Sequence, residues 1–400
     1  MLRQDFIAST LTQPRRLPVS SADYTLGVEE EYQLVDAETG ELRSRARAVL
    51  AGDWSGDIKR EMQQHTVEVG TCVCACAGEA EDELRRLRLQ AAAAAGAQGM
   101  RIVAAGTHPF TSWEGQEFTD DPTYDSIRRE YRQLAREQTI FGMHVHVGIP
   151  PGADAALILN VARLHLPALL ALSVSSPLYL GDDTGYASYR SMLWRRWPRS
   201  GPPPRFTDYA ELDAAVELLL EAGGLDSPGR LYWAIRPHHR FPTIEFRVCD
   251  VTPRVEDAAL IATLARALVA SIVSGTIREP DLPESHRWVL LDENLWRAAR
   301  DGLAARWAEL DGSRPREIDA AESLRRLADR LAPTAEELGD GEILARLPET
   351  LKRGDAAARI RARAREVGTD APALVDWLAT ETTLGLGLDR RSEQRVGVAG

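Results

Sequence analysis

Four short segments carry ionisable residues at the spacing of β-strands. In Gly27-Val28-Glu29-Glu30-Glu31-Tyr32 side chains alternate between faces, so Glu29 and Glu31 share one face and Glu30 takes the other. His144 and His146 share a face of a second segment. In Thr243-Ile244-Glu245-Phe246-Arg247-Val248, Glu245 and Arg247 lie on one face and the apolar residues on the other. Glu61 and Glu68 are an odd number of residues apart, which places them on opposite faces of a regular strand. Both reach one site only if a bulge intervenes or if Glu61 precedes the strand.

A solvated outer face accounts for any one of these patterns. Four segments that concentrate Glu with His point instead to a shared cavity. Two like charges about 4 Å apart repel by roughly 4 kcal/mol at an effective dielectric near 20, so Glu29, Glu31, Glu61, Glu68 and Glu245 together require cations. Mg²⁺ or Mn²⁺ suits carboxylate oxygens joined by one imidazole. The chain holds 48 basic residues, yet Lys59 and Lys352 are its only lysines. It has no G-x-x-x-x-G-K-[ST] run, which excludes a P-loop. Nucleotide phosphates would therefore be met by arginines and metal ions.

The elements that must position these residues are legible in outline. Strands are expected over 24–36 (entering a turn at 37–40), 59–71, 101–106, 140–149, 231–237 and 243–250. Helices are expected over 79–99, 124–139, 153–173, 207–223 and 255–274, and residues 284–381 read as almost wholly helical. Residues 175–206, rich in Gly, Pro, Arg and aromatics, form a long irregular segment. Loops of that length are commonly functional, and this one is expected to close over the site as a lid. The fold class is α+β, in one catalytic domain over 23–383, with a mobile leader at 1–22 and a frayed tail at 384–400. Pattern alone leaves parallel and antiparallel sheets open.

The 400 residues carry a net charge of −12, which argues against nucleic acid or an anionic membrane as partner. The best membrane-span candidate, 166–180, is short and broken by Ser and Pro. The first residues lack a basic-then-apolar signal, so a cytoplasmic protein is expected. Cys72, Cys74 and Cys76 alternate; small buried hydrophobes at a strand end are favoured over zinc ligands.

The ordered runs TLGVEEEYQLVD, VEVGT, GTHPF, FGMHVHVGIP, SSPLYLGDDTGYASYR and TIEFRVCD resemble the carboxylate–amine ligase family of type 2 glutamate–cysteine ligases, from about residue 24 to 275. The resemblance implies a glutamine synthetase-like fold: a curved, mainly antiparallel sheet, helices on its convex side and a helical C-terminal part. It implies ATP and Mg²⁺ (or Mn²⁺) as cofactors. It also implies small-molecule substrates, an amino acid carboxylate and an amine, joined through an acyl phosphate; glutamate plus cysteine is the leading pair. Position by position, Glu29, Glu31, Glu61, Glu68, His144 and Glu245 resemble the metal-binding set, and Arg247 resembles the arginine that meets phosphate. Arg190 is open between a phosphate or substrate contact and a surface position. A homo-oligomer is compatible with the pattern. Phe241-Pro242 and His238-His239 depart from the family and bear on substrate identity. The rivals are another acid or amine with the same chemistry, direct phosphorylation of an amine, a metal-dependent hydrolase, and a non-catalytic binding protein.

Overall fold

The computed structural model describes residues 21–52, 58–311 and 314–387. The expected leader and tail lie almost wholly outside the described residues.

The main sheet has seven strands, and every pairing in it is antiparallel. In chain order the principal elements are β1 (Leu26–Asp36), β2 (Ile58–Arg60), β3 (Thr66–Gly70), α1 (Ala77–Gly96), β4 (Met100–Val103), α2 (Pro122–Tyr131), β5 (Gly142–Gly148), α3 (Ala155–Ala162), α4 (Leu166–Ser173), α5 (Tyr189–Trp194), β6 (Ile235–Pro237), β7 (Thr243–Asp250), α6 (Val255–Val273), α7 (Glu284–Asp301), β8 (Arg306–Asp311), β9 (Arg314–Asp319) and α8 (Ala320–Glu337). Strands run β2-β3-β1-β5-β7-β6 across the sheet, with β4 also paired to β1. Short helices follow α8 as far as Thr382.

Alternation decides which face is covered. Val28, Val145, Ile244 and Phe246 are fully buried, and helices α1, α4 and α6 pack against their strands. Burying each such side chain contributes about 1.5–3 kcal/mol. Glu30 points the same way and is fully buried. Arg88 of α1 meets it through Nε (2.9 Å) and Nη2 (2.5 Å), and Tyr32 Oη donates to it as well. The Glu29–Glu31 face is left for the site.

Three expected elements are corrected. Residues 59–71 are a hairpin, not one strand. Thr119 N donates to Met62 O (2.9 Å) and Gln64 N to Glu117 O (2.8 Å), so segment 117–119 captures the backbone that would have continued β2. The 124–139 helix ends at Tyr131, and Arg132 takes φ 51°. The C-terminal region contains the β8–β9 hairpin. Trp307 and Ile318 face each other there and are buried, and Asn294 of α7 pairs with both backbone groups of Ala308.

The 155–173 stretch is long and apolar enough to cross a membrane by length and composition, but 83% of it is buried inside the fold. Of the alternating cysteines, only Cys74 is buried; Cys72 is exposed.

Candidate active site

Cross-strand register lays the ionisable side chains in a row over one face. Lys59 opposes Glu68, and Glu68 opposes Glu31. On the other side of β1, Glu29 opposes His144. His146 opposes Glu245, and Glu245 opposes Arg236. Glu61 lies in the turn between β2 and β3, the condition under which it and Glu68 serve one site. The β5–β7 pairing shifts register between Met143 and Val145, so two β7 residues, Arg247 and Val248, stand opposite His144. Such a bulge re-aims a side chain.

Glu31, Glu61, His144, Arg190 and Arg247 line one cavity of about 110 Å³, walled also by Trp194, Trp197 and Tyr232. That is room for a phosphoryl-sized group; pockets for whole ligands run to about 300–1,000 Å³. A roomier cavity of about 410 Å³, among α4, α7, β8 and α8, contains none of the expected site residues.

The carboxylates divide by environment. Burial and the charge of Glu61 push Glu31 up to about 7, against Arg190 and the Gly142 N–H. Burial raises Glu61 although Tyr124 Oη donates to it at 3.1 Å. Burial, then the charges of Glu29, Glu61 and Glu31, push Glu68 well above the carboxylate range; its cation, Lys59 Nζ, stands 3.9 Å away. Burial opposes ionisation of Glu29 too, but the hydrogen bond to His144 and the close approach of His146 win and hold its carboxyl well below the usual range. His144 Nδ1 is 3.1 Å and His146 Nε2 3.4 Å from the same Glu29 oxygen. Burial, and then Arg247, lower His144 to about 4, leaving a neutral imidazole at pH 7.

Glu245 sits differently. Arg236 binds both its oxygens, through Nε (2.7 Å) and Nη2 (3.2 Å), and Arg247 Nη1 donates to the oxygen that Nη2 meets. Burial is outweighed by these charges, and its carboxyl lies far below the usual range. Sequence reading missed Arg236; its signal was an arginine on the strand beside Glu245. It also missed Tyr124 and the role of Asp250, the last residue of TIEFRVCD. Asp250 accepts from Ser175 N (3.0 Å), Ser176 Oγ (2.7 Å) and Ser188 Oγ (2.8 Å).

Arg190 is buried, not a surface arginine. Its guanidinium lies over Gly142, where a Cβ would collide with it, and its Nε has no hydrogen-bond partner. The 175–206 segment is anchored by Asp250 and by α7, whose Arg300 and Ala299 carbonyls hold the Ala187 and Ser188 amides at 2.9 and 2.7 Å. Trp197 is buried. These contacts pack the segment onto the sheet and α7 as a wall of the cavity.

The donor set is of the right kind for a hard divalent cation: crowded, buried carboxylates whose charge Arg190, Arg247 and Lys59 offset only in part, with a neutral imidazole. Among the described residues no group of three or more Asp, Glu, His or Cys side chains is already drawn together as a metal site.

Comparison with known proteins gives a consistent set of similarities. The family model described as glutamate-cysteine ligase family 2 matches residues 25–383. A provisionally named glutamate–cysteine ligase 2 from Herpetosiphon aurantiacus is 38% identical over 373 residues, covering 92% of this chain and 96% of that protein. One of the same provisional name from Roseiflexus castenholzii is 40% identical over 370 residues, covering 91% and 96%. Among solved structures, the Francisella tularensis glutamate–cysteine ligase in complex with AMP aligns with a TM-score of 0.65 at 13% identity, over 94% of this chain and 91% of that one. A bifunctional glutathione synthetase from Pasteurella multocida aligns with a TM-score of 0.67 at 18% identity. The alignment covers 92% of this chain but only 53% of that protein, so the chain spans about half its length.

Proposed function

We propose that this chain, which belongs to the glutamate-cysteine ligase family 2 and is an ATP-dependent ligase forming a carbon–nitrogen bond, joins L-glutamate to L-cysteine through a γ-glutamyl phosphate. One observation carries the reading: a phosphoryl-sized cavity lined together by Glu31, Glu61, His144, Arg190 and Arg247.

The γ-carboxylate of the acid attacks the γ-phosphorus of ATP, and ADP leaves. The amine then attacks the acyl carbon, and phosphate leaves. Charge spreads over the transferring oxygens, so fixed donors aimed at them favour the transition state. Arg247 and Arg190 are those donors. Arg236 holds Glu245, and Glu245 holds Arg247, so the guanidinium needs no reorganisation when charge develops. Mg²⁺ or Mn²⁺, held by Glu29, Glu31, Glu61, Glu68, His144 and Glu245, would neutralise the phosphate oxygens. The packed wall of residues 175–206 keeps water from the acyl phosphate, whose hydrolysis would waste ATP. We place the active face on the concave side of a glutamine synthetase-like sheet in a single domain over 23–383. We place the protein in the cytoplasm, a compartment that suits ATP use and four free thiols.

The test is to incubate the protein with ATP, Mg²⁺ and L-glutamate against a panel of amino acids and amines. Phosphate release is followed, and products are identified by mass spectrometry. γ-Glutamylcysteine with stoichiometric phosphate is expected. An amide to another amine reassigns the substrate and keeps the mechanism. A phosphoramidate, or no ATP turnover with any pair, overturns it.

A further inference from the structure

We propose that the chain carries a second small-molecule site, the cavity of about 410 Å³ among α4, α7, β8 and α8, built to take a small organic acid with an apolar body. It shares no lining residue with the carboxylate cavity. Its volume falls within the range of about 300–1,000 Å³ usual for ligand sites.

The lining is of two kinds. Leu164, Pro167, Leu291, Leu327 and the buried Trp307 offer an apolar bed. Against it stand four arginines, and their partners divide them. Arg287 is paired with Glu284 at 3.2 Å, and Arg326 with Glu322 at 3.1 Å. Arg278 and Arg330 are exposed and form no ion pair among the described residues. Arg278 Nε donates to its own turn, at Gly275 O (2.8 Å). The one carboxylate in the lining, Glu309, is already held by Ser323 Oγ (2.5 Å) and Arg326 (3.5 Å). Two guanidiniums without an ion-pair partner therefore remain at the cavity of a chain of net charge −12, and guanidinium matches carboxylate geometry with two parallel donors.

His165 supplies the third polar group. It lines the cavity, and its ring has no hydrogen-bond partner among the described residues. Burial, and then the charge of Arg330, lower it to about 4. It therefore stays neutral at pH 7, with one nitrogen to donate and one to accept. An anionic head on the arginines, a polar substituent on His165 and an apolar body on the leucines and Trp307 satisfy every uncommitted group in the lining.

Isothermal titration calorimetry with phenylacetate, 4-phenylbutyrate and 6-phenylhexanoate tests this, with 4-phenylbutanol as the uncharged control. At least one acid should bind saturably at one site per chain, and its affinity should be unchanged by saturating Mg²⁺–ATP. The Arg278→Ala/Arg330→Ala double variant should bind it about tenfold or more weakly, with a melting temperature close to wild type because both side chains are exposed and neither forms an ion pair. The alcohol should bind weakly to wild type and variant alike. Absence of saturable binding by all three acids overturns the proposal. So does equal binding by the double variant, equal binding of the alcohol, or displacement of the acid by Mg²⁺–ATP.

Discussion

The two ends of one sheet face solve the problem of buried charge in opposite ways. At the β7 end, Glu245 lies between Arg236 and Arg247, and its carboxyl is held far below the usual range. At the β3 end, Glu31, Glu61 and Glu68 crowd together with one lysine 3.9 Å from Glu68, and all three carboxyls are raised. One end is complete as folded; at the other, Arg190, Arg247 and Lys59 act on the carboxylates without bringing any of the three down. A buried carboxylate by itself says nothing of function, since its neighbours decide whether it is a strut or a donor to a cation. The turn to Glu30 makes the same point within one strand. One residue from Glu29 and Glu31, on the opposite face, it is fully buried against Arg88 and has nothing to offer a ligand.

The sharpest way to break this comparison is to remove the donor that joins the arginine end to the cavity. Arg247→Ala should lower kcat by roughly 10³-fold or more, the scale of losing a charged donor to a transferring phosphoryl group. Glu245 would keep Arg236, so folding should survive. A loss under tenfold with normal folding would mean that Arg247 only neutralises Glu245.

The next test contrasts the faces of β1. Glu30→Gln leaves Arg88 charged and buried, with the Thr252 and Pro253 carbonyls as partners at 2.9 and 2.7 Å. Breaking a buried pair from one side costs about 3–5 kcal/mol, measurable as a shift in the urea midpoint. Activity per folded molecule should stay near wild type. A large loss of kcat without loss of stability would place Glu30 in the chemistry and erase the distinction.

Much of this division was legible in sequence, because parity is a local property. Glu29 with Glu31, His144 with His146, and Glu245 with Arg247 each follow from alternation within one strand. What alternation cannot supply is the partner across the strand gap. Arg236 acquires its role only from the register of β6 against β7, and Tyr124 reaches Glu61 from a helix more than sixty residues away. The 59–71 stretch has strand-like composition throughout, but segment 117–119 breaks it by long-range pairing. The β8–β9 hairpin was hidden by charge: Arg306, Glu309, Arg316 and Glu317 suit an exposed helix as well as an exposed strand face, and Trp307 opposite Ile318 marks it only once the pairing is known.

The smallest expected effect is the most discriminating, because it is a difference in sign. Glu68 has a raised carboxyl in the folded protein. Its favourable contribution is complete below the unfolded value of about 4.3 and is lost as pH rises through the higher folded value. Glu245 has a depressed carboxyl, so its contribution is present above the unfolded value and is lost as pH falls toward the folded one. Replacing each by Gln removes these terms. In chelator, at pH 8, Glu68→Gln should therefore be more stable than wild type, and the gain should shrink at pH 5 as the raised carboxyl takes up its proton. Glu245→Gln should be less stable at pH 8, by about 1–3 kcal/mol, because it leaves Arg236 and Arg247 facing each other without a counter-charge. Adding Mg²⁺ should favour wild type over Glu68→Gln, since a cation that binds only the folded state stabilises the protein with the fuller carboxylate set. Urea unfolding of the three proteins at both pH values, with and without Mg²⁺, reads all of these signs. Two variants destabilised alike at pH 8 would mean that Arg190, Arg247, Lys59 and the surrounding dipoles already neutralise the β3 end, and its carboxylates would no longer argue for a metal.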